Sequence, residues 1–217
     1  MDRIIPDALM LLAPGCPHCP AVLEGLSALV KDGGLGTLEV VNIAVHPERA
    51  EQLGVRSVPW VRIGEFDLDG AQTPAELRRW AELAGSPQGM PAYFLYLLKN
   101  GRRAKVEEMA RQDPQRLLSL VDLLADEESS MAVRLGIGAV LEELQGSGIA
   151  SAMVPGLGEL TRHADPLVRA DACHYLSLVG GEEIAPYLRA CVDDPDAAVR
   201  EMVAEILAEM DEIQEDG

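Results

Sequence analysis

The tightest constraint on this chain is a junction. Residues 8–12 are uninterruptedly apolar, Ala13-Pro14-Gly15 stops them, and Cys16-Pro17-His18-Cys19 opens a helical pattern that reaches about Lys31. A short apolar run closed by turn residues and followed by 3.6-residue periodicity is a buried strand feeding a helix through a tight turn. Asp32-Gly33-Gly34 ends that helix, and residues 37–43 are a β-branched run suited to a buried parallel strand reached by a crossover. A βαβ unit follows. Residues 47–53 predict a short helix closed by Gly54, and residues 60–63 and 66–68 predict two strands paired antiparallel about Gly64. Thr73-Pro74-Ala75-Glu76 combines an N-cap hydroxyl, a proline at the first helical position and a glutamate at the third, so a helix is expected to run to about Leu83.

Beyond this point the grammar changes. Ser86-Pro87-Gln88-Gly89-Met90-Pro91 breaks periodicity on both sides, so residues 86–93 are assigned as a linker between a domain at 1–85 and another at 94–217. In the second region Asp-Pro recurs at Asp113-Pro114, Asp165-Pro166 and Asp194-Pro195, each placing a capping carboxylate ahead of a proline that a first helical turn tolerates. Val168-Arg169 returns as Val199-Arg200, and Pro155 as Pro186, both after 31 residues; Val133-Arg134 is an earlier copy at a spacing of 35. A period near 30 is that of a helical hairpin: one amphipathic helix, a turn such as Gly180-Gly181, and a second helix over residues 183–192. Neither helix buries its apolar stripe alone, so stacking of units supplies the core. Asp165 with Arg169, and Asp196 with Arg200, stand at the i,i+4 spacing of helix-surface ion pairs.

Composition narrows the partners. The chain has 217 residues, 48% hydrophobic but only 4% aromatic, so its core must come from aliphatic side chains packed closely, a habit of helices. The net charge is −18, and residues 86–217 hold 24 of the 36 acidic groups. Such a field repels phosphate backbones and anionic lipid, so nucleic acid and membrane are not expected partners. Met1-Asp2-Arg3 precedes only a short apolar run, so no export signal is read and the cytoplasm is the expected compartment. There thiols stay reduced, and a close cysteine pair is catalytic or metal-binding rather than structural.

The chemistry therefore centres on the four residues of the first junction. Cys16, at the N-cap or in the first turn of a helix, faces unsatisfied N–H groups and the positive end of the macrodipole, which favour a thiolate and a nucleophile. Pro17 keeps that turn helical without an N–H, leaving Cys16 exposed, while Cys19 faces inward as the resolving thiol. His18 adds a protonatable group beside the thiolate that favours the reduced form. A zinc site would need further ligands, and no second C-x-x-C exists, so no metal and no cofactor are expected. Cys173 and Cys191 fall on opposite helices of one hairpin and are read as free buried thiols; His46, His163 and His174 are read as surface or satisfied polar residues, and residues 209–216 as a solvated acidic tail.

The dithiol at the strand-to-helix turn, Asn42-Ile43 at a strand end, Gly54-Val55-Arg56-Ser57-Val58-Pro59 and the Gly64 hairpin together resemble the thioredoxin/glutaredoxin superfamily over residues 8–84. The resemblance implies an α/β fold, a cis Pro59 facing the dithiol, and a Val58 backbone aimed at an extended substrate, with Trp60 alongside. Where thioredoxins carry Trp and a buried Asp near the first cysteine, this chain has Gly15 and Met10; where glutaredoxins hold glutathione it has Ala13 and Ala71-Gln72. Residues from about 94 to the end resemble HEAT-like repeats, most strongly over 131–210, which implies an all-α domain offering a surface to another protein. Together the resemblances imply a thiol–disulfide oxidoreductase whose repeats bind or orient a protein client, reset by an external reductase or by glutathione. The alternative is a non-catalytic or redox-sensing scaffold or assembly chaperone, with Trp60 crowding the substrate groove.

Overall fold

In the computed structural model, which describes residues 5–215 and side chains as far as residue 212, the apolar run becomes strand β1 (Ala8–Leu12) inside a four-stranded sheet of order β2-β1-β3-β4. Met1-Asp2-Arg3 lies outside the described residues. β2 (Leu38–Asn42) pairs parallel to β1, from Ala8 opposite Leu38 to Leu12 opposite Asn42. β3 (Trp60–Ile63) runs antiparallel to β1, and β4 (Phe66–Asp69) antiparallel to β3. An inner position explains the composition of β1, whose Met10 and Leu11 are both fully buried, one on each face of the pleat. β2 differs from its expectation. It is an edge strand with Glu39 and Val40 exposed, because the crossover places it outside β1 and only Val41 reaches the core.

Helix α1 (Cys19–Lys31) contacts β1 and β2 and packs against α3 (Pro74–Leu83). Their approach is close at Gly25, where a Cβ would come within 2.8 Å of Leu77 Cδ1. A second cluster joins Leu11, Val41 and Trp60 to Ala50 of α2 (Pro47–Gln52). Thr73 caps α3 reciprocally: its hydroxyl accepts the Glu76 N–H at 3.2 Å while its own N–H donates to Glu76 Oε2 at 2.7 Å.

The chain divides into two units between Ala92 and Tyr93. Helix α4 (Gly89–Lys99) crosses that point, so Gly89, Met90 and Pro91, assigned above to the linker, are helical. Pro91 stands in a first turn, where an N–H has no helical partner to lose.

The second unit is helical among its described residues. α5 (Arg103–Gln112) leads through a 3₁₀ turn at Pro114–Leu117 into α6 (Leu118–Ala125), and α7 (Met131–Leu144) through Ile149–Met153 into α8 (Val154–Leu160). α9 (Pro166–Val179), a 3₁₀ turn at Glu182–Ile184 and α10 (Ala185–Arg189) form the next hairpin, and α11 (Ala197–Glu215) follows. The hairpin's second element, expected at 183–192, is thus a 3₁₀ turn and a shorter helix. The acidic segment expected as a tail is helical to Glu215; Asp216 lies outside the described residues.

The repeat is physical. Val133, Val168 and Val199 are all buried at matching points of α7, α9 and α11, and a Cβ on Gly158 of α8 would overlap the Tyr187 ring of α10. The arginine after each valine reaches back to the preceding turn: Arg134 to the Asp126 and Ser129 carbonyls, Arg169 to those of His163 and Ala164, and Arg200 to those of Asp194 and Pro195. The i,i+4 pairs expected for Arg169 and Arg200 are replaced by these bonds. Asp113 and Asp165 cap their helices as expected, accepting from Gln115 and Leu167 N–H, but the third Asp-Pro does not. There the Asp194 carboxylate accepts the Asp196 N–H at 2.9 Å as well as the Arg169 guanidinium, but α11 starts only at Ala197 and Asp196 caps it.

Candidate functional site

The sheet brings the sequence motifs to one end. Leu11 lies opposite Trp60, so the chain leaving β1 toward the dithiol and the chain entering β3 from Val58-Pro59 meet the sheet at the same end. The Cys16 N–H donates to the Ala13 carbonyl at 3.3 Å, folding residues 13–16 into a turn, and the Val58–Pro59 bond is cis. Gly15 takes φ +79°, a left-handed conformation that costs a glycine little.

Cys16 and Cys19 are joined by a disulfide with Cα atoms 5.5 Å apart. Their surroundings differ sharply. Cys16 is half-buried and flanked by exposed Pro17 and His18, whereas Cys19 is 4% exposed. Helix α1 begins later than expected: its N-cap is His18, and the proline of its first turn is Pro20. A helix begun at Pro17 would call on the N–H of residue 20 for an early bond, and proline has none; the bond that forms is Val22 N–H to the His18 carbonyl at 3.3 Å. Cys16 therefore precedes the helix rather than opening it. Its sulfur nonetheless accepts the Cys19 N–H at 3.2 Å, as a capping oxygen would, so one free donor of the first turn is spent on the sulfur that would carry negative charge.

Trp60 requires a correction. Its ring is 2% exposed and packs with Leu11, Val41 and Ala50, with the Arg62 guanidinium 5.1 Å from its centroid, so it supports the sheet and does not crowd a groove. Val58 packs partly against the same cluster, and Pro59 is buried, its carbonyl accepting the Gly70 N–H at 3.0 Å. Ala13 and Gln72 provide no positive charge near the dithiol, and Met10 is fully buried in β1.

The second unit holds the other cysteines. Cys173 on α9 is fully buried, and Cys191, just past α10, is 4% exposed; both are free thiols. Burial first, and then the neighbouring Cys191, push the Cys173 thiol up to about 12. Beside them Arg169 grips Asp194 with two bonds of 2.8 Å. Those bonds hold the Asp194 carboxyl below its ordinary range and the Arg169 guanidinium above its own. This pair was missed from sequence because its partners lie 25 residues apart and Asp165 offered a nearer carboxylate, which is occupied by the Leu167 N–H. Three large apolar side chains, Met131 and Leu135 of α7 and Leu167 of α9, are each about 70% exposed. Among the described residues no group of three metal-ligating side chains converges, and no helix is long and apolar enough to cross a membrane.

No curated protein matches the chain. Residues 8–82 match the family model of the thioredoxin domain and residues 154–216 that of HEAT repeats, so this is an α/β thioredoxin-like domain followed by HEAT-like helical repeats.

Proposed function

We propose that the chain is a thiol–disulfide oxidoreductase in which Cys16 attacks, Cys19 resolves, and the helical repeats bind or orient a protein client. The observation that carries this reading is the asymmetry of the pair: a half-exposed sulfur capped by a backbone N–H, joined to a buried one three residues on. In the reducing direction the Cys16 thiolate attacks one sulfur of a client disulfide, forming a mixed disulfide and releasing the client's other sulfur as a thiolate that takes up a proton. Cys19 then loses its proton and attacks Cys16, expelling the second client thiol and leaving the Cys16–Cys19 disulfide. An external dithiol reductase or glutathione returns two electrons and two protons. Run backwards, the same steps oxidise a client.

The Val58 backbone and Pro59, at the same sheet end as Cys16, would hold an extended client segment, and exposed His18 would stabilise the thiolate form. The exposed Met131, Leu135 and Leu167 belong to successive repeat helices bridged by the Arg134–Asp171 ion pair, which suits them to a client surface. The net charge suits a partner that is neither nucleic acid nor membrane, and a reducing cytoplasm suits a dithiol in turnover.

Trapping with Cys19→Ser tests the reading: this variant should accumulate mixed disulfides that vanish when Cys16 is also replaced. No trapped species, together with no disulfide exchange by the wild type, would sink it. The same exposed apolar side chains also favour a second reading, a redox-sensing scaffold or assembly chaperone. A Cys16→Ser chain that keeps full cellular function would select it.

A further inference from the structure

Cys173 and Cys191 form a second sulfur pair that the proposed chemistry leaves unused. Their neighbours fix how they meet. Arg169 of α9 is clamped to Asp194 by two bonds of 2.8 Å, and Cys173 lies one helical turn further along the same face of α9. On the opposing strand of chain the Asp194 N–H donates to the Cys191 carbonyl at 3.1 Å, so the turn at 191–194 folds Cys191 back beside its own Asp194. The Arg169–Asp194 clamp therefore sets the segment that carries Cys191 against the face of α9 that carries Cys173, where both thiols are buried. Cys191 also has its Sγ 3.5 Å from the Tyr187 carbonyl and 3.9 Å from that of Thr161, so it sits between the turn and the end of α8.

We propose that Cys173 and Cys191 are a redox-responsive dithiol, closing to a disulfide that staples α9 to the turn ahead of α11. The oxidant is a low-molecular-weight disulfide such as glutathione disulfide. Cys191 reacts first, because it lies in a turn rather than a helix and local opening of that turn is enough to expose it. Its thiolate attacks one glutathione sulfur and releases the other glutathione as a thiol. Cys173, held protonated by its burial, gives up its proton as it attacks the Cys191 sulfur, and the second glutathione leaves. Two thiols have lost two electrons and two protons, and one glutathione disulfide has become two glutathione thiols. The product fixes the turn whose Asp194 side chain binds Arg169 and whose carbonyls bind Arg200, so oxidation of one pair secures the junction of two repeats.

This proposal stands apart from the activity of Cys16 and is tested without it. The full chain carrying Cys16→Ser and Cys19→Ser is equilibrated, folded, in a series of glutathione redox buffers, quenched with acid, and read by intact mass, peptide mapping and thermal unfolding. The expected product has lost two hydrogen atoms, carries a cross-link between the peptides of Cys173 and Cys191 that dithiothreitol reverses, and unfolds on the order of 5–10 °C above the reduced form. Adding Cys173→Ala should convert that product to a glutathione adduct on Cys191. The proposal is overturned if both thiols stay free in buffers that fully oxidise Cys16 and Cys19 of the wild type, if a glutathione adduct persists with Cys173 present, or if the cross-link forms only in denaturant.

Discussion

Two cysteine pairs sit in the two halves of this chain, and they are opposites in everything except the element. Cys16 and Cys19 are three residues apart at the mouth of a helix, one sulfur half-exposed and hydrogen-bonded to a backbone N–H. Cys173 and Cys191 are eighteen apart and almost wholly enclosed, with the Cys173 thiol pushed up to about 12 by that enclosure. Reactivity follows surroundings: free donors and solvent favour a thiolate, and enclosure away from water opposes one. The comparison teaches that the first pair is built to exchange quickly, whereas the second must wait for the protein to open.

The largest effect that could break this contrast is kinetic. Replacing Cys16 by Ser should reduce disulfide-exchange activity by about a thousandfold or more, because no other accessible thiolate replaces the nucleophile. Cys173→Ala should leave the rate within about twofold. After reduction, iodoacetamide should label Cys16 on the order of a hundred times faster than Cys173 at neutral pH in the folded chain. Equal labelling rates would mean that the buried pair is not enclosed, and the distinction would fail.

The next effect is on stability and sharpens the contrast from the buried side. Arg169→Ala leaves Asp194 charged and enclosed, with the Asp196 N–H but no guanidinium on its carboxylate, so it should cost about 3 kcal/mol of the second unit's stability. Replacing both partners, Arg169→Met with Asp194→Leu, should recover most of that loss in urea unfolding. The pH dependence carries a sign. The folded Asp194 pKa is depressed, so its contribution is fully present above the unfolded value of 3.8 and disappears as pH falls through the lower folded value. Acid unfolding of the second unit should therefore steepen below about pH 4 and flatten in the double variant. A steep acid transition that survives in the double variant would assign it to other carboxylates.

A smaller effect tests His18 directly. If its imidazole stabilises the reduced form, His18→Val should lower the Cys16–Cys19 reduction potential by on the order of 30 mV, a tenfold change in the equilibrium with glutathione. Redox titration of the intact chain measures it. An unchanged potential would leave the Cys19 N–H and the start of α1 as the stabilising groups near the sulfur.

The two halves also differ in how much of them is written locally. The Thr73 capping box and the strand pair about Gly64 are contained in segments of a few residues, and each stands where its spacing placed it. Errors arose where a distant partner decided the outcome. β2 became an edge because the strand order is settled by the whole sheet, and Trp60 entered the core because Leu11 and Val41 come to meet it. Asp194 looked like a third helix cap, yet α11 starts at Ala197 with Asp196 as its cap, and a guanidinium 25 residues away shares the Asp194 carboxylate with the Asp196 N–H. The helix start at Cys19 was a local miss: Pro20 was the signal, since a proline at that place withholds the N–H that an earlier start would need.

The smallest effect compares two helix starts within the first unit. At α3 an oxygen performs the capping, and Glu76 completes it; at α1 the cap position is His18, whose side chain accepts nothing, and the sulfur of Cys16 receives the Cys19 N–H instead. Thr73→Ala should therefore cost about 1 kcal/mol in urea unfolding of the intact chain, the usual worth of a hydroxyl cap, and leave the reduction potential of Cys16–Cys19 unmoved. The bonds from the Thr73 N–H and hydroxyl hold the Glu76 carboxyl below its ordinary range. That contribution is present above the unfolded value of 4.5 and is lost as pH falls through the lower folded value, so the penalty of Thr73→Ala should shrink in acid. A penalty that stays constant down to pH 3 would show that the bond from the Thr73 hydroxyl to the Glu76 carboxylate contributes nothing, because the N–H of residue 73 keeps its own bond to that carboxylate in the variant.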